Sequence, residues 1–479
     1  MDPRLILPEL LLAGLGFALL VLELFTGPDE KRLVGWAGVV GLLVVLVPTA
    51  ALLAGAPRAV YAGTYAVDPF AAFFKIVAVL SGALALLSAM EYFRGRRSPH
   101  EGETYVLIVF MVLGLAAMAA AADLIVLFLA IEFVSLVSYV LAGSLKDDPR
   151  SSEAGVKYFF FGAAASAVLL FGFSYLYGAG GTTNLVQLGR LLGGFPTPFL
   201  VVATVFVLAG LGFKTSLVPF HQWTPDVYEG APTPVTALLS VGSKAAAFAA
   251  LLRVFDVALP PPAWVPVLAG LAAVTMSFGN LVALVQQNIK RMLAYSSIAH
   301  AGYMLIGVVA LAASPTAVGS GTGALLYYLL AYVFTNVGAF AVVIAVWRAL
   351  GSEAIADYAG LAQRAPFTAF AMAVFMLSLT GVPPTALFWG KLNLFGAALQ
   401  SGFGWLAVVG IANSALSLYY YAGVIWAMYA QAPADPSPLP EDALMRGLLG
   451  ITAAGTLVLG IYPEPFVRLV QAASVLLRF

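Results

Sequence analysis

The sequence predicts an all-α polytopic membrane protein with about fourteen transmembrane helices. Three observations carry that prediction. Hydrophobic residues make up 62% of the 479 and charged residues only 10%, against about 25% charged in a soluble domain. Mean hydropathy is +0.97, which leaves nothing over for a sizeable soluble domain. Apolar runs of roughly 20 residues, the length that crosses a bilayer, recur from one end of the chain to the other.

The runs lie near 5–25, 34–54, 69–90, 104–121, 123–145, 154–178, 197–219, 232–255, 262–286, 292–313, 320–348, 366–389, 401–430 and 444–472. The first has no basic leader and cleavage site before it, so it reads as a span and not as a signal peptide. The third starts at Pro69. The fourth and fifth are joined by only Ala119 to Asp123, where Asp123 suits a helix cap. The thirteenth is long enough to tilt or protrude. The seventh and twelfth carry breaks, at Pro219 and at Gly381-Val382-Pro383-Pro384. Proline removes a helical donor and clashes with the preceding turn. Backbone freed at membrane depth is tolerated only where protein or water satisfies it.

Composition also excludes. There is no cysteine, hence no cysteine-held iron–sulfur cluster, thiol catalysis or disulfide in this chain. Formal net charge is zero, and nothing points to a nucleic-acid partner.

Basic residues set the orientation. The odd loops carry Lys31, Arg32, Arg94, Arg96, Arg97, Lys146, Arg150, Lys290, Arg291, Arg348, Arg364 and Arg446. The other side has Arg4, Arg58, Arg190, Arg253, Arg468 and Arg478. Twelve against six places the odd loops in the cytoplasm and both termini outside. The remaining basic residues are Lys75, Lys157, Lys214, Lys244 and Lys391, all lysine and all within spans. Arginine keeps its proton in proteins, whereas a desolvated lysine can release it. A charge at the bilayer centre costs at least about 2.5–3.5 kcal/mol, so these residues need a reason.

Glu132 in the fifth span is the acidic counterpart, with Ser135 and Tyr139 on its face. His300 in the tenth span shares a face with Ser296, Ser297 and Tyr303; Asn413, Ser417 and Tyr421 repeat the pattern in the thirteenth. Other positions have plainer readings. Lys75, six residues after Pro69, reads as a snorkelling lysine. Lys157, near the start of its span, is as easily snorkelling as functional. Glu9 and Glu23, near opposite ends of the first span, read as exposed. His221 suits bonding of carbonyls freed by the break, and Pro219, Pro383 and Pro384 are structural breaks in any reading.

The run GFKTSLVPFHQWTPDVYEGAPTPVTALLSVGSKAAAFA from Gly212 resembles the signature of the N-subunit family of proton-pumping NADH:quinone oxidoreductase, respiratory complex I. So do EAGVKYFFFG (153–162), NLVALVQQNIKRMLAYSSIAHAGYML (280–305) and SLTGVPPTALFWGKLNLF (378–395), in the family's order. The sequence does not continue past the last span into the long lateral helix of the L subunit. The resemblance implies an antiporter-like fold with two inverted five-helix repeats, each with a broken helix. The first would cover 104–255 and the second 262–430, flanked by three peripheral helices over 1–95 and a C-terminal helix over 444–479. It implies that Glu132, Lys157, Lys214, Lys244, His300 and Lys391 transfer protons along a central polar axis. Glu132 would pair with Lys214 and act as the switch. It also implies a bacterial inner membrane, partner membrane subunits including other antiporter-like ones, and NADH, FMN, iron–sulfur clusters and quinone held by partners. This chain would hold no cofactor. The alternative is a subunit of a sodium/proton antiporter, disfavoured because Glu132 is the one clear mid-span carboxylate.

Overall fold

A computed structural model describes residues 3–95, 100–313, 320–433 and 435–476; Arg96, Arg97 and Arg478 lie outside them. Twenty α-helices follow in order. They are α1 (Leu7–Phe25), α2 (Lys31–Ala51), α3 (Pro69–Phe93), α4 (Glu101–Ala120), α5 (Leu124–Ala142), α6 (Pro149–Gly180) and α7 (Leu185–Leu191). Next come α8 (Thr197–Thr215), α9 (Trp223–Gly230), α10 (Thr233–Leu238), α11 (Lys244–Leu252), α12 (Val265–Ala283), α13 (Ile289–Ala313) and α14 (Ser320–Leu350). The last are α15 (Leu361–Arg364), α16 (Pro366–Thr380), α17 (Ala386–Gln400), α18 (Gly404–Ala430), α19 (Ala443–Ile461) and α20 (Glu464–Ala473). A small antiparallel hairpin, β1 (Arg58–Val60) with β2 (Tyr65–Val67), links α2 to α3.

Among the described residues, thirteen helical stretches are long and apolar enough to cross a membrane, and the expected twelfth span is split into α16 and α17. Asp123 caps α5 as its position suggests, accepting from the amides of Ile125 and Val126. Several boundaries differ from the sequence reading, among them the end of the twelfth span, read at Trp389 but carried by α17 to Gln400. The seventh span ends at Thr215, four residues before Pro219, because Ser216 turns left-handed (φ 64°) and the Leu217 amide reaches back to Gly212 O at 2.8 Å. The last span stops at Ile461, and α20 begins beyond Pro463. A residue before proline is pushed out of the helical region, which interrupts the apolar run there.

Burial divides the bundle. The helices α1, α2, α6 and α18 keep broad apolar faces outward, whereas α3, α13 and α14 are enclosed along most of their length. α3 packs against α2, α4, α10 and α14, which enclose it.

The charges near the ends of these helices are paired. Lys75 is 1% exposed and does not snorkel: its ammonium lies 2.6 Å from Glu9, which also accepts from Tyr65 at 2.5 Å. Glu23 pairs with Lys31. Neither glutamate stands free in solvent, because burying an unpaired charge would cost more than pairing it. Arg253, counted by sequence with the even-side basic residues, is buried at the end of the eighth span and forms a two-pronged bond to Asp68, at 3.0 and 2.8 Å. The buried basic residues are therefore not all lysines. Glu91 gathers Arg32, Arg94 and Arg348, and Asp442 takes the last two as well. That network ties α2, α3 and α14 to the start of α19.

Candidate functional site

Two broken helices frame the site, and both breaks are built alike. Each first half ends in a left-handed residue, Ser216 or Gly381, followed by an amide that bonds the carbonyl five residues back. This closing turn satisfies carbonyls that a helix end leaves open. Val218-Pro219 and Pro383-Pro384 are cis peptides. Ser216 is not glycine, and a left-handed conformation costs it about 1–3 kcal/mol; its hydroxyl accepts from Thr224 at 3.0 Å, and Trp223 donates to Phe213 O at 2.9 Å. At the second break the ammonium of Lys391 donates to Leu379 O (2.9 Å), Thr380 O (2.8 Å) and Ser414 Oγ (2.9 Å). The negative end of the first half-helix thus faces a cation, as the helix dipole favours.

Lys214 sits in the last turn of α8 inside an aromatic cage. Its ammonium lies 5.7, 5.6 and 5.9 Å from the ring centres of Tyr139, Tyr158 and Phe213 and has no hydrogen-bond partner. Glu132, half-buried, accepts instead from Ser166 on α6. The expected Glu132–Lys214 ion pair is therefore open in this structure.

Lys244 follows a single π-helical turn, Leu239–Ser243. Such turns insert one extra residue and recur at functional positions. The turn aims the ammonium at Ser297, whose carbonyl and hydroxyl both lie at 2.5 Å. His300, one turn along α13, bonds Tyr328 through Nδ1 (2.5 Å) and Tyr421 through Nε2 (3.2 Å). Tyr421 also bonds Ser296. The ring of Tyr303 lies 4.7 Å from the Lys391 ammonium, and its hydroxyl accepts from Asn280 at 3.0 Å. Asn280 in turn meets Asn413 and Tyr420. Lys244, His300 and Lys391 thus lie along one enclosed polar seam lined by α12, α13, α14, α17 and α18.

Lys157 lies elsewhere. Its side chain is 37% exposed and pairs with Glu153 (2.7 Å) and Asp226 (2.6 Å). Arg291 completes that cluster, at 2.9 Å from Asp226 and 2.7 Å from Glu229. Burial opposes the charge on Asp226, but bonds from Lys157 and Arg291 outweigh it and hold the carboxyl below its usual range. Lys290 is buried and donates to Glu229 O and Ala231 O, closing the end of α9. His221 packs against the Phe278 ring at 4.6 Å, and its imidazole bonds the Pro219 backbone at the break while Nδ1 has no partner.

Sequence reasoning missed Tyr158, Tyr328, Asn280 and the Asp226–Arg291 cluster. Tyr158 follows Lys157 directly, and Tyr328 and Asn280 are polar groups inside apolar runs, a signal that polar-face spacing alone ranks low.

The transmembrane family described as NADH:quinone oxidoreductase/Mrp antiporter matches residues 121–417. The chain belongs to that family. The NADH-quinone oxidoreductase subunit N of Trichlorobacter lovleyi is 44% identical over 476 residues, covering 98% of this chain and 96% of that one. The subunit N of Heliobacterium modesticaldum is 43% identical over 479 residues, covering 99% of each. Among solved structures, a chain of respiratory complex I from Thermus thermophilus with bound aureothin is 35% identical and superposes with a TM-score of 0.81, over 96% of this chain and 98% of that one. A chain of the Mrp complex from Dietzia sp. DQ12-45-1b superposes at 0.86 over 99% and 97%, at 22% identity, a likeness of fold alone.

Proposed function

We propose that this chain is the N subunit of a proton-pumping NADH:quinone oxidoreductase. It moves protons across the membrane while partner subunits hold the NADH site, flavin, iron–sulfur clusters and quinone and carry out the redox chemistry. The observation that carries the reading is the seam from Lys244 through Ser297, His300 and the tyrosines to Lys391. Its ionisable groups are buried, and each can gain and release a proton. Full-length identity to subunit N relatives favours this reading over a sodium/proton antiporter subunit.

In this reading the odd loops face the cytoplasm of a bacterium, both termini lie outside, and the units over 104–255 and 262–430 are inverted repeats. Protons enter at Lys214, pass to Lys244 and His300, and leave by Lys391. Glu132 keeps Lys214 protonated when the two approach, and Lys214 releases its proton when they part. Lys157, with Glu153 and Asp226, serves as a charged rim on the cytoplasmic side, not as a link of the seam.

The test is NADH-driven proton uptake by inside-out membrane vesicles. Lys244→Ala is expected to abolish this subunit's share of pumping at normal assembly. Lys244→Arg is expected to do the same, because arginine holds its proton; full pumping by the arginine variant would sink the reading. Sodium-dependent pumping would favour the antiporter alternative.

A further inference from the structure

The enclosed helix α14 carries Tyr328, Tyr332 and Asn336 at four-residue intervals, which sets them on one face. Tyr328 bonds His300, and the ring of Tyr332 lies 5.1 Å from the His300 ring. Asn336 reaches the other end of the seam. Its Nδ2 donates to Ser240 Oγ at 2.7 Å, and Ser240 stands in the π-helical turn Leu239–Ser243 that precedes Lys244. The Ser240 hydroxyl gives its own proton to Ala237 O, also at 2.7 Å. Its oxygen can then only accept, so Asn336 must present the amide nitrogen. The amide oxygen, Asn336 Oδ1, is left buried without a partner. An unmet acceptor in the interior destabilises a fold, so packing alone would favour leucine over asparagine here. The neighbouring Thr335 anchors α14 at the same level: its hydroxyl lies 3.0 Å from Ser378 Oγ on α16 and 3.3 Å from Thr456 Oγ1 on α19. The turn is also close against α3 and α4, where a Cβ on Gly242 would fall 3.1 Å from Leu115 and 3.3 Å from Ser81.

We propose that Asn336 is a positioning residue for proton transfer: it ties the π turn to α14 and so fixes where Lys244 stands relative to Ser297 and His300. A π turn holds one residue more than an α turn, and one residue is about 100° of helix rotation. Relaxation of the turn to regular helix would swing α10 against α11 by about that angle and take the Lys244 ammonium off Ser297. The bond from Asn336 opposes that relaxation. α14 then acts as a ruler. It meets His300 at Tyr328 and the Lys244 turn at Asn336, about 12 Å apart along the helix. The inference rests on the reading that Lys244 takes part in pumping.

Asn336→Leu keeps the side-chain volume and removes both the bond to Ser240 and the unmet oxygen. In the assembled complex it is expected to melt no lower than wild type in mild detergent. Proton uptake per NADH oxidised by inside-out vesicles is expected to fall by at least half of the loss that Lys244→Ala causes. Ser240→Ala breaks the same bond from its other end. The double variant is expected to lose no more pumping than the worse single one, because both remove one contact. Wild-type uptake by Asn336→Leu overturns the proposal. So does a loss matched by a lower melting temperature and less assembled subunit, which marks a packing role, and so do losses that add in the double variant. Lys244→Ala separates the two ideas. If it is defective while Asn336→Leu pumps normally, the ruler alone fails; if it also pumps normally, the role of Lys244 fails with it.

Discussion

His300 bonds two tyrosine hydroxyls at once, and one of them, Tyr421, also holds Ser296. Tyr421 is therefore the oxygen that joins the Lys244 side of α13 to the histidine. Tyr421→Phe removes that oxygen while keeping the ring. Positioned acid–base groups contribute about 100-fold or more to proton transfer, so pumping is expected to fall by about tenfold or more. Tyr420→Phe, which loses a bond to Asn280, should fall less. Dye-quench measurements of NADH-driven acidification check both, and equal rates for the two variants would contradict the relay. At this scale the sequence was legible where a charge stood deep in an apolar run, as with Lys214, Lys244 and Lys391. It misled where a charge lay near a helix end. Lys75, Glu9 and Arg253 looked free because their partners are 66, 66 and 185 residues away in the chain, and spacing carries no trace of such distant pairs.

The broken helices show the same division at the scale of elements. Proline and glycine announced both breaks, and the structure places them within a few residues of that reading. The way each break is held was not legible. Trp389 donates to Gly460 O at 2.8 Å, and a Cβ on Gly460 would fall 2.0 Å from Pro384 O. The end of α19 thus presses on the second break, and only glycine permits the approach. Gly460→Ala is expected to destabilise the subunit by about 1–3 kcal/mol through overpacking and to shift the carbonyls that hold Lys391. Gly270→Ala, with open space around it, is the control. Thermal unfolding in mild detergent should separate them; equal melting would refute the clamp.

Across the whole molecule, buried ion pairs bind the first helices to the rest. Asp68 and Arg253 join the start of α3 to the end of the eighth span, and the Glu91 network fixes the opposite end of α3. Removing one member of a buried pair strands the other charge and costs about 3–5 kcal/mol, whereas an apolar replacement of both can be neutral. Arg253→Met alone is expected to lower the melting temperature and the amount of assembled subunit. Asp68→Leu together with Arg253→Met should restore most of both. A double variant no more stable than the single would show that the pair is not what holds these helices.

By itself the sequence determined the membrane-spanning character, the number and order of spans, the two breaks and the lysines and histidine that stand inside the spans. Each of these is local: it needs only a run of apolar residues, a proline, or a charge where a charge is costly. Tertiary structure decided which charges meet. It paired Lys157 with Asp226, beside Arg291, left Lys214 in a cage apart from Glu132, and enclosed α3 between its neighbours. It also brought Tyr328 and Tyr421 to His300. Hydrogen bonds and ion pairs act over about 3 Å between residues far apart in the chain, and only the packing of helices brings those atoms within reach.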